Sequence, residues 1–420
     1  MKKVLIKSPI LTQSGYGHHS RTVLRALRKR EDIEIYLIAL NWGACSWLVD
    51  DNEERRWIDE ALNKTLEYIK AGGQFDMSIQ VTIPQEFEQI APINIGVTAG
   101  VETTKISPLW IQKSNIMDKI ITISEHSKRP FVETVYDAKH PQTGEDMKFK
   151  CEVPVEYVSY PVLKQDPEEL DLNLQTDFNF LTVMQMSPRK NLHQLISCFY
   201  EQFKDNEDVG LIVKTNLAKN SLIDRSNSEV RLSTMIPDIS DAKCKIYLLH
   251  GNMSEGEMAG LYTHPKIKAI VSTTHGEGFG LPLFEAAYHG LPIIATDWSG
   301  HVDFLYKPLK SKNGKSKNKH MFSRISYTLQ QVQKEAVWEN VIVPESKWAF
   351  PEAGSIKMNL EELYKDHGRF KKRAKELQKW VLEEFEEEKQ YAEYNALLEE
   401  YFEPFDVESW LEELNVETHE

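Results

Sequence analysis

Apolar positions along the chain recur at two periods, and the pattern is laid down twice. Val4–Lys7, Glu34–Leu40, Asp76–Val81, Ile93–Thr98 and Lys119–Ser124 are short apolar runs bounded by turn residues, the signature of strands. Between them, His18–Arg30 sets Val23, Leu24 and Leu27 at helical spacing, and Arg55–Ala71 has the length and period of another helix. The polar stretch Tyr136–Cys151, with Pro141 and Gly144, reads as a loop or hairpin insertion. After the acidic linker Lys164–Asp177 the alternation resumes. Strands are expected at Asn179–Gln185, Val209–Thr215, Lys245–Leu249, Ile267–Ser272 and Pro292–Thr296, with helices at Asn191–Phe203, Ser254–Tyr262 and Gly280–His289. This predicts an α/β fold with two doubly wound domains facing across a cleft and a boundary near residue 165. Beyond Phe304 the pattern weakens. Met358–Phe402 reads as one or two long helices with solvated charged faces, and Glu403–Glu420 as an acidic short helix or frayed tail.

Composition narrows the class. At 420 residues the chain exceeds the roughly 250–300 at which single cores stop growing. No apolar run approaches the roughly 20 residues that cross a bilayer, so no membrane span is expected. The opening MKKVLIKSPILTQSG starts like a secretory signal but breaks at Lys7 and Pro9 with no small-residue cleavage site, which favours a first buried strand. Cys45, Cys151, Cys198 and Cys244 form no Cys-x-x-Cys pair, which argues against a zinc knuckle or disulfide scaffold and suits a cytoplasmic protein. A net charge of -14 opposes non-specific attachment to nucleic acid or anionic membrane.

The densest chemical signal is THGEGFGLPLFEAAYHGLPIIATDWSG, Thr274–Gly300. A strand runs into Gly276, Gly278 and Gly280, and a helix opens at Leu281–Pro282. Glycines permit close backbone approach, and the unpaired N–H groups of a helix's first turn favour phosphate. Glu277 and Glu285 stand eight positions apart, placed so that both can face one bound molecule. Carboxylates repel phosphate but accept hydrogen bonds from sugar hydroxyls, so a sugar phosphate suits the whole set. The chain has no Asp-x-Asp pair, which disfavours a bound divalent cation. Taken alone, the same glycines describe an ordinary strand–helix turn with two solvated glutamates.

Glu277-Gly-Phe-Gly-Leu-Pro…Glu285-Ala resembles the E-x7-E motif of retaining GT-B glycosyltransferases, above all the large family 4, and Gly290–Thr296 resembles that family's next strand. The resemblance implies the GT-B fold, with Rossmann-like domains over 1–165 (acceptor side) and 166–370 (donor side). C-terminal helices over 371–420 would pack partly back on the first domain. It implies a nucleotide diphosphate sugar as donor and no cofactor or metal. It gives Glu277 the donor sugar, Glu285 the ribose, and the N–H groups of Phe279 and Gly280 the sugar and phosphate. Gly278 and Leu281 belong to the same donor-binding turn.

MQMSPRKN, Met184–Asn191, resembles the family's donor-phosphate motif: Lys190 matches its lysine, Gln185 stands where an arginine is usual, and adjacent Arg189 is the substitute cation. Ser14-Gly-Tyr-Gly17 resembles the N-terminal glycine loop, which brings Gly15 and Gly17 toward the donor. Lys214 closes a strand toward the cleft, and Gly251–Ser254 resembles the loop near the nucleotide base. Glu102, in Thr98–Lys105, is the acceptor-side or catalytic-support carboxylate. Thr122–Glu125 reads as structural. His275 and His301 flank the donor loop and either suits sugar or phosphate, or plain packing. The basic run Lys307, Lys310, Lys312, Lys315, Lys317 and Lys319 is a solvated loop or a guide for an anionic acceptor. No aromatic residue interleaves these lysines to stack bases. The acceptor stays open between a glycan, lipid or small-molecule hydroxyl and a hydroxylated DNA base, as in phage enzymes. A sugar-nucleotide-binding module or a GT-B epimerase is the alternative of another class.

Overall fold

The computed structural model describes residues 1–139, 142–235, 242–310 and 316–403. Its first domain runs through β1 (Lys2–Ser8), α1 (Gly15–Leu27), β2 (Ile33–Ala39), α2 (Glu53–Lys70), β3 (Met77–Val81), β4 (Ile93–Val97), α3 (Pro108–Ser114), β5 (Lys119–Thr122) and α4 (Glu125–Glu133). A hairpin of β6 (Val135–Lys139) and β7 (Asp146–Lys150) follows, then β8 (Val155–Tyr157). Six of these strands make a parallel sheet ordered β2-β1-β3-β4-β5-β8. Helices cover both faces, which is why strands such as β3 are buried throughout instead of alternating.

The second domain holds β9 (Phe178–Gln185), α5 (Leu192–Phe203), β10 (Val209–Asn216), α6 (Leu222–Met235), β11 (Lys245–Leu249), α7 (Glu255–Thr263), β12 (Ile267–Ser272), α8 (Leu281–Tyr288), β13 (Ile293–Thr296) and α9 (Val302–Leu305). Then come β14 (Tyr306–Lys310), β15 (Ser316–His320), β16 (Ser323–Ile325), β17 (Tyr327–Gln331), β18 (Lys347–Pro351) and α10 (Ala353–Lys365). Its parallel sheet is ordered β11-β10-β9-β12-β13-β16, with β14–β15 and β17–β18 as antiparallel hairpins beside it.

The chain then returns. Leu377, Trp380 and Val381 of α11 (His367–Glu384) join the core of the second domain, around Leu181, Phe279, Phe284 and Phe304. Tyr391 and Tyr394 of α12 (Glu387–Ala396), with Leu398 and with Phe402 of α13 (Glu399–Phe402), join the core of the first, around Val4, Leu24 and Leu27. The outgoing and returning crossings touch, since the Val162 N–H donates to the Phe385 carbonyl at 2.8 Å.

Three expectations need correcting. The first helix begins at Gly15 and not His18, because the Ser14 hydroxyl accepts from the Gly17 N–H and so caps it there. Gly15 and Gly17 therefore lie in a helical first turn. Met358–Phe402 is not one or two helices but parts of four, interrupted where Asp366 caps α11 and Glu386 caps α12. Past Phe304, where no regular pattern is legible, β16 completes the second sheet and the two hairpins fill in. Lys312, Lys315 and residues 404–420 lie outside the described residues.

Both sheets reverse strand order once, between β1 and β3 and between β9 and β12. Loops leaving such a switch point diverge and leave a crevice at the carboxyl ends of the strands. The loop after β9 carries Arg189 and Lys190, and the loop after β12 carries Glu277. Glu102 follows β4 of the other sheet.

Candidate active site

The loops after β9 and β12 are tied to each other. The His275 N–H donates to the Arg189 carbonyl at 2.8 Å, and the Arg189 Nη1 donates to the Gly276 carbonyl at 2.6 Å. This places Lys190 Nζ 2.6 Å from Glu277 Oε1 and Arg189 Nη1 3.1 Å from Glu277 Oε2. The other arm of the Arg189 guanidinium reaches across the cleft to Glu102 Oε1 at 3.2 Å. Two cations and two carboxylates thus form one part-buried chain at the switch point.

The backbone of Glu277 is pinned from β13. Its N–H donates to the Ser299 hydroxyl at 2.8 Å and its carbonyl accepts from the Gly300 N–H at 2.9 Å. Ser299 holds a left-handed φ of 86°, uncommon for a residue with a Cβ. Gly300 has no alternative, since a Cβ there would fall 1.8 Å from the Gly278 carbonyl oxygen. Burial alone would raise the Glu277 carboxyl, but Lys190 and Arg189 outweigh it and hold it at about 2. The same burial pulls Lys190 below its ordinary value against the attraction of Glu277.

Glycines of the turn serve two ends. At Gly276 a Cβ would meet the Glu102 carbonyl oxygen at 2.5 Å, and at Gly278 the Ala99 carbonyl oxygen at 2.8 Å, so both permit contact between domains. The Ser124 hydroxyl donates to the Gly278 carbonyl at 2.6 Å across the same contact. Gly280 caps α8 with a φ of 93°, which L side chains rarely adopt. Beyond it Pro282 has no N–H and the Leu283 N–H donates to the Gly280 carbonyl at 2.9 Å, so the Leu281 N–H is the one of α8's first turn without an acceptor in the helix. The Phe279 ring is buried between Tyr160, Phe284 and Phe304, leaving only its backbone for a ligand; Leu281 is part-buried at the helix start.

Glu285 faces elsewhere. It lines a cleft of about 500 Å³ with His18, Met253, Ser254, Met258 and Tyr262. Its Oε2 accepts from the Tyr262 hydroxyl at 2.7 Å. Burial pushes its carboxyl up to about 7, the Tyr262 hydrogen bond opposes this, and Glu255 adds to it. The two glutamates therefore occupy two compartments, with the N-terminus of α8 between them.

Lys214 donates to the Gly251 carbonyl and so fixes the loop that ends in the capping box of Ser254 and Glu257. Gly17 packs its backbone on Thr12, and Gly15 faces open space. His275 is committed to the protein: Nδ1 lies 2.6 Å from the Ala349 carbonyl, and the ring stacks on Trp348 at 4.8 Å. Gln185 is exposed and donates to the Leu217 carbonyl, so Arg189 alone joins Lys190 at Glu277. Lys319 pairs with Glu376 of α11 at 3.1 Å. Sequence reasoning missed Ser299, Gly300, Tyr262 and His18. Only Ser-Gly after a strand hinted at the first two, and nothing local marks the others. It also missed Asp303, which accepts from the Glu125 N–H at 2.8 Å and joins the domains.

Residues 168–314 match the family described as Glycosyl transferases group 1. A stretch of 121 residues is 31% identical to the serotype-specific mannosyltransferase WbdA of Escherichia coli, covering 28% of this chain and 13% of that protein. The chain thus matches only a small part of its curated relatives. In three dimensions it is similar to Anabaena Alr3699/HepE in complex with UDP and glucose, at TM-score 0.59 and 13% identity over 95% of this chain and 100% of that one. Sucrose-phosphate synthase from Thermosynechococcus elongatus gives TM-score 0.59 and 12% identity over 96% and 99%. The chain therefore has the GT-B fold, and its segment 168–314 is similar to the group 1 glycosyl transferases.

Proposed function

We propose that this chain is a retaining, metal-independent hexosyltransferase that moves a sugar from a nucleotide diphosphate sugar to an acceptor hydroxyl. One observation carries the reading: Glu277 with its cations and the Glu285 cleft are separate compartments joined by the first turn of α8. An elongated ligand with hydroxyls at both ends and phosphates in the middle fits that sequence of groups. Glu277 takes the donor sugar's hydroxyls and Glu285 those of the ribose. The N–H groups at Phe279–Leu281, with Lys190 and Arg189, take the diphosphate.

The bond from the anomeric carbon to the phosphate oxygen breaks, and one from that carbon to the acceptor oxygen forms on the same face. The acceptor proton passes to the departing phosphate. Lys190, Arg189 and the α8 terminus stabilise the charge that gathers on that phosphate, and they are already in position before reaction begins. Glu277 and Glu102 pair with these cations, so a donor that binds there exchanges one set of partners for another. A hexose donor also accords with the mannosyltransferase relative and with the UDP and glucose bound by HepE.

The test is a screen of UDP-, GDP-, ADP- and TDP-hexoses by thermal shift, followed by release of nucleotide diphosphate with and without acceptor. Binding of one donor, and release that depends on acceptor, is the expected result. Release without acceptor in a sugar-isomerising reaction, or no binding to any donor, overturns the reading.

A further inference from the structure

Nothing in the donor compartments addresses what receives the sugar, so the opposite side of the cleft has to supply it. The carboxyl ends of the first sheet carry an unusual set of side chains. The loop after β2 holds Trp42 and Trp47. Trp42 packs on Tyr16 with ring centroids 4.3 Å apart and planes tilted by 36°, and the Tyr16 hydroxyl lies 2.9 Å from Thr98 Oγ1 and accepts from the Ala99 N–H. Those residues open the loop that bears Glu102, so the aromatic pair is braced against the ion-pair chain. Trp47 is laid over the segment after β1 by a bridge to Thr12, and its side chain is 46% exposed. Glu86, exposed at the end of β3, is hydrogen-bonded by Thr82.

A third indole comes from the other domain. Between β17 and β18 the chain leaves the second domain at Gln331 and returns at Lys347. Its turn at Lys334–Ala336 packs on Pro188–Lys190. Further on, the Asn340 carbonyl accepts from the Ser107 hydroxyl at 2.7 Å, and Val341 is buried with Phe87, Val101 and Ile106 in an apolar cluster that Trp42 also packs against. This segment thus bridges from the catalytic cations to the first domain, and it presents Trp338 at 57% exposure. Exposed indoles scattered singly need no explanation. Here Trp42 and Trp338 stand on segments tied to the loops that bear Glu102 and Arg189.

The charge around them selects the partner. Asp50 follows Trp47, Glu335 and Glu339 flank Trp338 against Lys334, and the cation nearest Glu102 is already paired with it. An anionic acceptor is repelled by such a rim. A sugar ring offers apolar C–H faces to indoles and hydroxyl donors to carboxylates, so it satisfies both kinds of group. We propose that Trp42, Trp47 and Trp338 form the acceptor subsite and that the acceptor is a neutral oligosaccharide. This rests on the transferase reading above.

The test titrates neutral hexose disaccharides and trisaccharides into the full chain without donor, read by tryptophan fluorescence. Trp47→Ala and Trp338→Ala are each expected to weaken binding about threefold to tenfold. Trp47→Phe keeps most of the affinity. In turnover, the alanine variants raise the acceptor KM while donor binding, measured by calorimetry, stays unchanged. Unaltered acceptor binding in both alanine variants overturns the proposal. So does preference for hydroxymethylated DNA or a glycerol phosphate polymer with steep salt dependence. Sugar binding that depends on the indoles in a protein blind to every nucleotide sugar sinks the transferase reading and leaves the carbohydrate subsite standing.

Discussion

Glu277 and Glu285 stand eight positions apart in one short stretch of chain, and the fold shifts their carboxyl groups in opposite directions. Glu277 is buried and Glu285 half-buried, and loss of water around a carboxyl by itself raises it. Glu277 lies against Lys190 and Arg189 and stays ionised, held at about 2. Glu285 has a tyrosine hydroxyl and no cation, and is pushed up to about 7. The difference teaches that burial sets the cost of the charge and that partners decide whether it is met. It also follows the chemistry proposed for each. A group beside charge building on a phosphate has to be fixed, whereas a group that receives ribose hydroxyls gains its charge as ligand arrives.

The largest effect is expected from removing the partners of Glu277. Lys190→Ala or Glu277→Ala should lower turnover by about 10²–10³-fold or more, with circular dichroism unchanged. Full activity in both variants breaks the assignment of this compartment to chemistry. Next comes the link between the compartments. Gly280→Ala forces an L residue to a φ of 93° and sets a Cβ 3.0 Å from that of His301, so it should cost about 1–2 kcal/mol, seen as a lowered Tm. An unchanged Tm would mean that the helix start relaxes freely, and the two carboxylates are then not rigidly spaced.

The smallest effect is a pH dependence. Because the Glu285 carboxyl lies above its ordinary value, its contribution to stability is full at low pH and is lost as pH rises from about 4.5 toward about 7. Donor affinity runs the other way, since ribose hydroxyls donate to the ionised form. It should rise by up to about tenfold per pH unit toward neutrality and level off above about 7. Glu285→Gln should flatten that profile in calorimetry. Glu277, held low, contributes stability above its ordinary value that is lost only as pH falls toward about 2, so it adds no slope near neutrality. A wild-type profile with no break near 7 would erase the contrast.

Much of this was legible because it is local. The two rounds of strand and helix follow from apolar period, and Glu277, Gly280 and Lys190 from the residue types at the ends of β9 and β12. Gly15 and Gly17 were placed before a helix instead of in it, because capping by Ser14 competes with the weak helix propensity of glycine. His275 looked like a ligand for sugar, but its ring packs on Trp348, more than seventy positions later. Tyr262 has no signal at all, since its partner Glu285 lies on another helix.

Sequence by itself determined the two rounds of strand and helix and the glycine turn between β12 and α8, because periodicity, glycine spacing and strand–helix order are written between neighbours. Only the tertiary structure decided how the cleft is used. It made Arg189 the second cation, parted Glu277 from Glu285 into two compartments, and carried the segment bearing Trp338 from one domain onto the other. Those outcomes depend on which groups meet across a sheet switch point and between domains, and contacts of that range leave no period in a chain.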